Sequence, residues 1–203
     1  MQLILILSLL SSIWSSEAIN IELINQDKQF EEFITLEHID SCSSSNVKTY
    51  MPYDTVTDKS SKQYNLIHNN LNISESGLLY DKYGFIAVAL GSYYGNIGDR
   101  YIFTLDSGIK IPVIKADAKS DNVTIDGCYQ MYDKSVIEFV IDVNKASEYY
   151  IVGGNTLINH GNFNNDDRFK GKIESVSKVS IDDNYIDLLS INFTINEYLL
   201  LNP

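Results

Sequence analysis

"YGFIAVALGSYYGNIGDRYIFTLDSGIKIPVIKADAKSD", residues Tyr83–Asp121, decides how this chain folds. Gly84–Leu90 is a continuous apolar run, the pattern of a strand buried on both faces. Asp99–Leu105 reads as a second strand. Asp106-Ser107-Gly108 is a tight turn signal, and Ile109–Ala116 returns from it, which makes a hairpin. Asp117, Lys119 and Asp121 follow directly on that apolar run. Three charged residues at the end of a strand make either a turn or a site, and both readings stand at this level.

The texture on either side is similar. VKTYMPY (47–53) is short and β-rich, and Pro52 limits it to an edge or a strand end. SSKQYNLIHNNLNIS (60–74) reads as a strand ending in an Asn-rich turn at His68–Asn70. SVIEFVIDV (135–143) is the strongest strand pattern in the chain. YYIVGG, GKIESVSKVSI and NYIDLLSINFTI continue it, with turns at Gly153-Gly154, Asp166-Asp167 and Asp182-Asp183-Asn184. Upstream, QDKQFEEFITLEHI (26–39) spaces Phe30, Phe33 and Ile34 at helical intervals, which predicts a short amphipathic helix. Many short strands with few helices predict a mainly all-β fold, a small barrel or a sandwich.

Composition narrows the function classes. With 203 residues and 44% hydrophobic content, the chain has enough apolar material for one domain with a core. Its net charge of −12 repels phosphate backbones and anionic membrane surfaces, so neither nucleic acid nor membrane is an expected partner. LILILSLLSSIW (3–14) is too short for a comfortable transmembrane helix, and Ser16-Glu17-Ala18 offers small residues for cleavage. Residues 1–18 therefore read as a secretory signal peptide, although no Lys or Arg precedes the apolar run. A buried first strand or helix is the alternative. Export would let Cys42 and Cys128 form one disulfide, and two unpaired thiols remain the other possibility. His38, His68 and His160 are scattered and no C-x-x-C pair exists, which argues against zinc. Residues 117–126 superficially offer calcium ligands, but Lys119 sits where an EF-hand loop needs an oxygen. Neither a metal nor a cofactor is expected. Asn72, Asn122 and Asn192 each begin an Asn-X-Ser/Thr triplet.

These residues carry a resemblance. Ile86-Ala87-Val88, the Gly98 that leads into Arg100-Tyr101-Ile102, the hairpin at Asp106–Gly108, Asp117, and Glu138 within Val136-Ile137-Glu138-Phe139 are similar to the three-aspartate (3D) domain family. That family is a double-psi β-barrel found in lytic transglycosylases and cell-wall-remodelling proteins. The match covers roughly residues 85–142, and the chain also looks like a group of secreted Firmicutes proteins. It departs from the family pattern in three ways. Ala118-Lys119-Ser120 replaces the glycines after the first Asp, the second acid is Glu, and the insert between the acids is longer.

The resemblance implies a double-psi β-barrel-like core over 47–145. A polar segment with a short N-terminal helix (19–46) would precede it and a C-terminal β extension (146–203) would follow. It also implies that Asp117 and Glu138 form the catalytic pair. Glu138 lies among apolar neighbours, and desolvation there would raise its pKa toward the range a general acid needs. Asp117 would stay ionised beside the oxocarbenium-like centre. A lytic transglycosylase closes the sugar's own hydroxyl onto the anomeric carbon, so one acid/base carboxyl serves both steps, whereas a hydrolase needs a second carboxylate at a set distance. Tyr93, Tyr94, Lys119 and Asp121 are candidate substrate contacts. Each also has a structural reading: rim packing for the tyrosines, a solvated pair for the charges. Two function classes follow. One is a secreted enzyme cleaving peptidoglycan or a related β-linked glycan. The other is a non-catalytic, expansin-like barrel that binds the same polymer.

Overall fold

The structure, a computed structural model, describes residues 33–152, 155–156, 161–183, 194–196 and 199. In chain order the elements are β1 (Ile34–Ile39), β2 (Thr49–Pro52), α1 (Lys62–Asn69), β3 (Asn72–Ile73), β4 (Leu79–Tyr80), β5 (Ile86–Leu90), β6 (Arg100–Leu105) and β7 (Lys110–Ala118). They continue with β8 (Thr124–Ile125), β9 (Tyr129–Gln130), β10 (Glu138–Ile141), α2 (Val143–Tyr149), β11 (Ile151–Val152), β12 (Asn155–Thr156) and β13 (Ile173–Ile181). The signal-peptide reading of residues 1–18 and most of the strand reading of 184–195 lie outside the described residues; of the latter, Ile195 is described and is helical.

Most strands join one mixed, nine-stranded sheet in the order β1-β13-β6-β7-β5-β10-β2, with β3 and β4 attached beside β5. The fold is thus mainly β, with two full helices among the described residues, and this ladder is an open path with β1 and β2 at its ends. β5 runs parallel to β7 and antiparallel to β10, and β10 runs parallel to β2. β6 and β7 form the expected hairpin, closed where Leu105 N–H donates to Ile109 O and Gly108 N–H to Leu105 O. Pro52 ends β2, an edge strand, where its missing N–H costs the sheet nothing.

β5 is covered on both faces, as its unbroken apolar run requires. Ile86, Val88 and Leu90 face a core with Tyr101, Phe103, Leu105, Val113, Phe139 and Ile141. Ala87 and Ala89 alternate to the opposite face, where Ile114, Val140 and Ile67 of α1 are also buried. Helix α1 packs on β7.

Three local expectations are corrected. Lys62–Asn69 is a helix where a strand was expected: Ser61 Oγ accepts the Tyr64 N–H at 3.0 Å as an N-cap. Conversely, Ile34–Ile39 is a strand within the segment that predicts a helix. The strand at SVIEFVIDV stops at Ile141 because Asp142 caps α2, accepting from the N–H groups of Asn144 and Lys145 at 3.0 and 3.1 Å. Part of the expected C-terminal extension is built into the main sheet, since β13 pairs with β6.

Chain contacts divide the protein into two units, Leu36–Ser180 and the paired ends Met1–Thr35 with Ile181–Pro203. In the second unit Phe33 and Ile34 are buried, and Asp182 N–H donates to Phe33 O at 2.9 Å. Among the described residues no helix is long and apolar enough to cross a membrane.

Candidate active site

The site begins with sheet register. Asp117 on β7 and Glu138 on β10 are both paired with Ala89 of β5, one from each side. Residues directly opposite each other in a sheet project to the same face. Both carboxyls therefore rise on the face of Ala89, which presents only a methyl group between them. Their Cα atoms stand two strand spacings apart, roughly 9.6 Å. Thr49 on β2 is the next residue in the row, opposite Glu138. The β5–β7 register slips between Val88 and Ala89, so Val88 pairs with Lys115 and Ala89 with Asp117. Without that bulge Asp117 would not stand opposite Ala89.

Burial shapes the charges. The Glu138 side chain is 24% exposed. Desolvation pushes its pKa above the ordinary carboxylate range; the Lys119 cation pulls it down, and Asp133 and Asp117 push it up. Asp117 is half-buried and is also raised by desolvation, against a hydrogen bond from the Ala118 backbone and the Lys115 charge. The Asp117 charge thus reaches Glu138 across the row.

Lys119 is not where a substrate contact would be. Its side chain is 2% exposed, and Nζ donates to Ser135 O at 3.1 Å and to Ser135 Oγ at 3.2 Å. Nζ also lies 3.8 Å from Glu138 Oε2, an ion pair too long for a direct hydrogen bond. Thr49 Oγ1 donates to the same Ser135 hydroxyl at 3.3 Å, and Ser135 N–H donates to Asp133 Oδ1 at 2.8 Å. Desolvation pushes the Lys119 pKa down, while Glu138 and Asp133 hold it up. The Ser135–Lys119 contact has the makings of a nucleophilic dyad, but Ser135 is 1% exposed, so its hydroxyl is closed to a polymer.

The other candidates separate. Tyr94 is 1% exposed, its ring packed against Tyr101 and Phe103 and its hydroxyl 3.1 Å from Cys42 Sγ. It is a core residue, not a sugar platform. Tyr93 is exposed, but its hydroxyl is tied to Asp40 O at 3.0 Å. Asp121 is exposed and accepts from Ser92 Oγ at 2.6 Å, away from the acid pair's row. Cys42 and Cys128 form a disulfide with a Cα separation of 6.2 Å. Next to it Gly91 is pressed on Gly127, with no room for a Cβ at Gly91.

One exposed aromatic escapes sequence reasoning. Tyr132, 88% exposed, sits in the turn between β9 and β10, where Lys134 takes a positive φ of 61° and its N–H donates to Gln130 O at 2.9 Å. The turn leads straight into Asp133 and Ser135. The signal in the sequence is Tyr132-Asp133-Lys134, an aromatic inside a polar turn. Two concavities lie elsewhere: one of about 250 Å³ lined by Tyr53, Asp54, Asp142 and Asn144, another of about 390 Å³ lined by Glu75, Lys145, Glu148 and Tyr149. Neither touches Glu138 or Asp117, although each is lined by two carboxyls, Asp54 with Asp142 in the first and Glu75 with Glu148 in the second. Among the described residues no group of three or more His, Cys, Asp or Glu side chains is arranged to hold a metal ion.

No protein-family model, curated protein or solved structure matches the chain.

Proposed function

We propose that this protein is a secreted glycan-cleaving enzyme acting on peptidoglycan or a related β-linked polysaccharide. The observation that carries the reading is the shared pairing of Asp117 and Glu138 with Ala89, which gives one sheet face two half-buried carboxyls. Glu138, raised by desolvation, donates its proton to the glycosidic oxygen as the bond breaks. It then takes a proton from the sugar hydroxyl that closes onto the anomeric carbon. Asp117 is the second carboxylate, which stabilises the positive charge at that carbon. A double-psi β-barrel-like core belongs to the same proposal. It draws support from the parallel β5–β7 pair next to the β6–β7 hairpin and from the parallel β2–β10 pair. Export draws support from the Cys42–Cys128 disulfide, a bond that persists in oxidising compartments.

The test is digestion of purified wall glycan followed by mass spectrometry of the fragments. Fragments one water lighter than hydrolysis products are expected. Intact glycan after prolonged incubation would overturn the enzyme reading.

A second reading, a non-catalytic glycan-binding module, is favoured by Tyr132. This nearly bare ring has Met131 exposed beside it in the same turn, and aromatic faces suit the C–H surfaces of sugars. Glycan pull-down that Tyr132→Ala abolishes, in a protein that never cleaves, would select it.

A further inference from the structure

Lys119 is a buried cation that the mechanism above does not use. Its backbone N–H donates to Leu90 O at 3.1 Å, extending the β5–β7 pairing beyond Ala118. That bond fixes the start of the side chain. Ser135 fixes its end, through its carbonyl at 3.1 Å and its hydroxyl at 3.2 Å. The Ser135 hydroxyl is in turn held by Thr49 Oγ1, and its N–H by Asp133 Oδ1. A lysine normally swings through many rotamers, but this one is anchored at both ends. Its ammonium is aimed at Glu138 Oε2 from 3.8 Å and is shut off from solvent.

We propose that Lys119 is the positioning residue of this site: clamped on Ser135, its ammonium orients the Glu138 carboxyl and offsets the cost of charging it in a desolvated place. The inference rests on the acid role assigned to Glu138 and deepens it. A carboxyl that must first give a proton and then take one back needs both of its forms within reach. Burial shifts Glu138 toward its neutral form, and the fixed cation pulls it back toward the charged one. The charged groups that act on Glu138 are Lys119 from beyond β7, Asp117 from β7 and Asp133 from the turn before β10. β2 and β5 contribute the uncharged Thr49 and Ala89. Lys119 is the only cation among these three charged groups. The Asp133 carboxylate acts on both Lys119 and Glu138, so the lysine is held between two acids.

The experiment follows the Glu138 side-chain carboxyl carbon by NMR across pH, in the full chain and in Lys119→Met and Lys119→Arg variants. In Lys119→Met the Glu138 midpoint should move up by about one pH unit, and Lys119→Arg should restore it in large part. Lys119→Met is expected to fold, because Ser135 O still accepts the Gln130 N–H at 2.9 Å and Ser135 Oγ still accepts from Thr49. A midpoint that stays put in a folded Lys119→Met overturns the proposal. Should the variant not fold, the wild type decides: the Lys119 Nζ nitrogen shift must change through the same pH interval in which Glu138 titrates, and silence there also overturns it. None of these readings needs catalysis, so they stand apart from the wall-digestion test. If cleavage occurs, Lys119→Met should extend it to higher pH, because the acid keeps its proton longer. A merely structural lysine would lower the melting temperature and leave that limb in place.

Discussion

Asp117 and Glu138 stand two strands apart on the same face of the sheet, with Ala89 as the shared neighbour between them. They are brought together by register rather than by sequence proximity. The bulge after Val88 sets Asp117 in the row and the antiparallel pairing of β10 sets Glu138.

Glu138→Gln keeps the shape of the side chain and removes its titrating proton. Cleavage of wall glycan should fall by about 100- to 10,000-fold, with the melting temperature held. Asp117→Asn should also lose most activity. Released fragments quantified by chromatography check both. A Glu138→Gln protein that cleaves like the wild type would eliminate Glu138 as the acid.

The same two groups make stability depend on pH. Desolvation raises both pKa values in the folded state, so the folded protein binds these protons more tightly than the unfolded chain does. Their stabilising contribution is fully present below the ordinary carboxylate range. It is lost as pH rises through the raised values. Relative to Glu138→Gln/Asp117→Asn, the wild type should therefore lose urea resistance as pH rises above the ordinary carboxylate range. Matched urea titrations across that rise in pH check the slope, and parallel curves would contradict it.

The buried Tyr94 and the exposed Tyr132 come apart under substitution. Tyr94→Ala empties a core position and should cost about 3–5 kcal/mol. Tyr132→Ala should change stability by less than about 0.5 kcal/mol and still weaken glycan binding. Chemical denaturation and pull-down, run on both variants, test the contrast.

The register that makes the site was only partly legible in the sequence. The unbroken run at Gly84–Leu90 and the Asp106-Ser107-Gly108 turn identify β5 and the β6–β7 hairpin, because burial on both faces and tight turning each leave a local composition mark. Asp117 and Glu138 could be read as candidates, but their common neighbour could not, since strand pairing leaves no mark in either segment. Lys119 looked like a solvated charge. Its burial depends on Ser135, sixteen positions away, which reaches it only across the folded sheet. Helix α1 was missed although Ser61 and the Tyr64–Ile67 spacing mark it, because the Asn-rich stretch after His68 draws attention to a turn. β1 was misread because Phe33 and Ile34 suit either period, and only pairing with β13 decides.

Lys48 is fully buried, and its Nζ donates to Gly171 O at 2.8 Å, Asn46 O at 3.3 Å and Asn164 Oδ1 at 3.4 Å. Desolvation pushes its pKa down to about 8. Between there and the ordinary lysine value the unfolded chain holds more protons, so the contribution of Lys48 to stability should rise with pH. Lys48→Met should abolish that rise. At neutral pH it should cost about 1–3 kcal/mol, because buried acceptors lose their donor. Denaturation at pH 7 and above pH 8 checks both statements.

Cutting the disulfide should be expensive. Cys42 and Cys128 are separated by 86 positions, and freeing so long a loop costs about 4–5 kcal/mol on the chain-entropy model. A Cys42→Ser/Cys128→Ser protein, or the wild type with reductant, should unfold at correspondingly lower denaturant.

The sheet order also dictates a sequence of assembly. The β6–β7 hairpin and the β3–β4 pair join strands that are close along the chain; β2 must wait for β10, and β1 for β13. Pairings of such long range form late and slowly. A chain emerging from the ribosome N-terminus first can close its hairpin early, but Glu138 arrives on the last-made of the four strands in its row. The carboxyl pair is therefore completed only once β10 has been made. Of the strands in the main sheet, β13 alone is still to be made when β10 completes that pair.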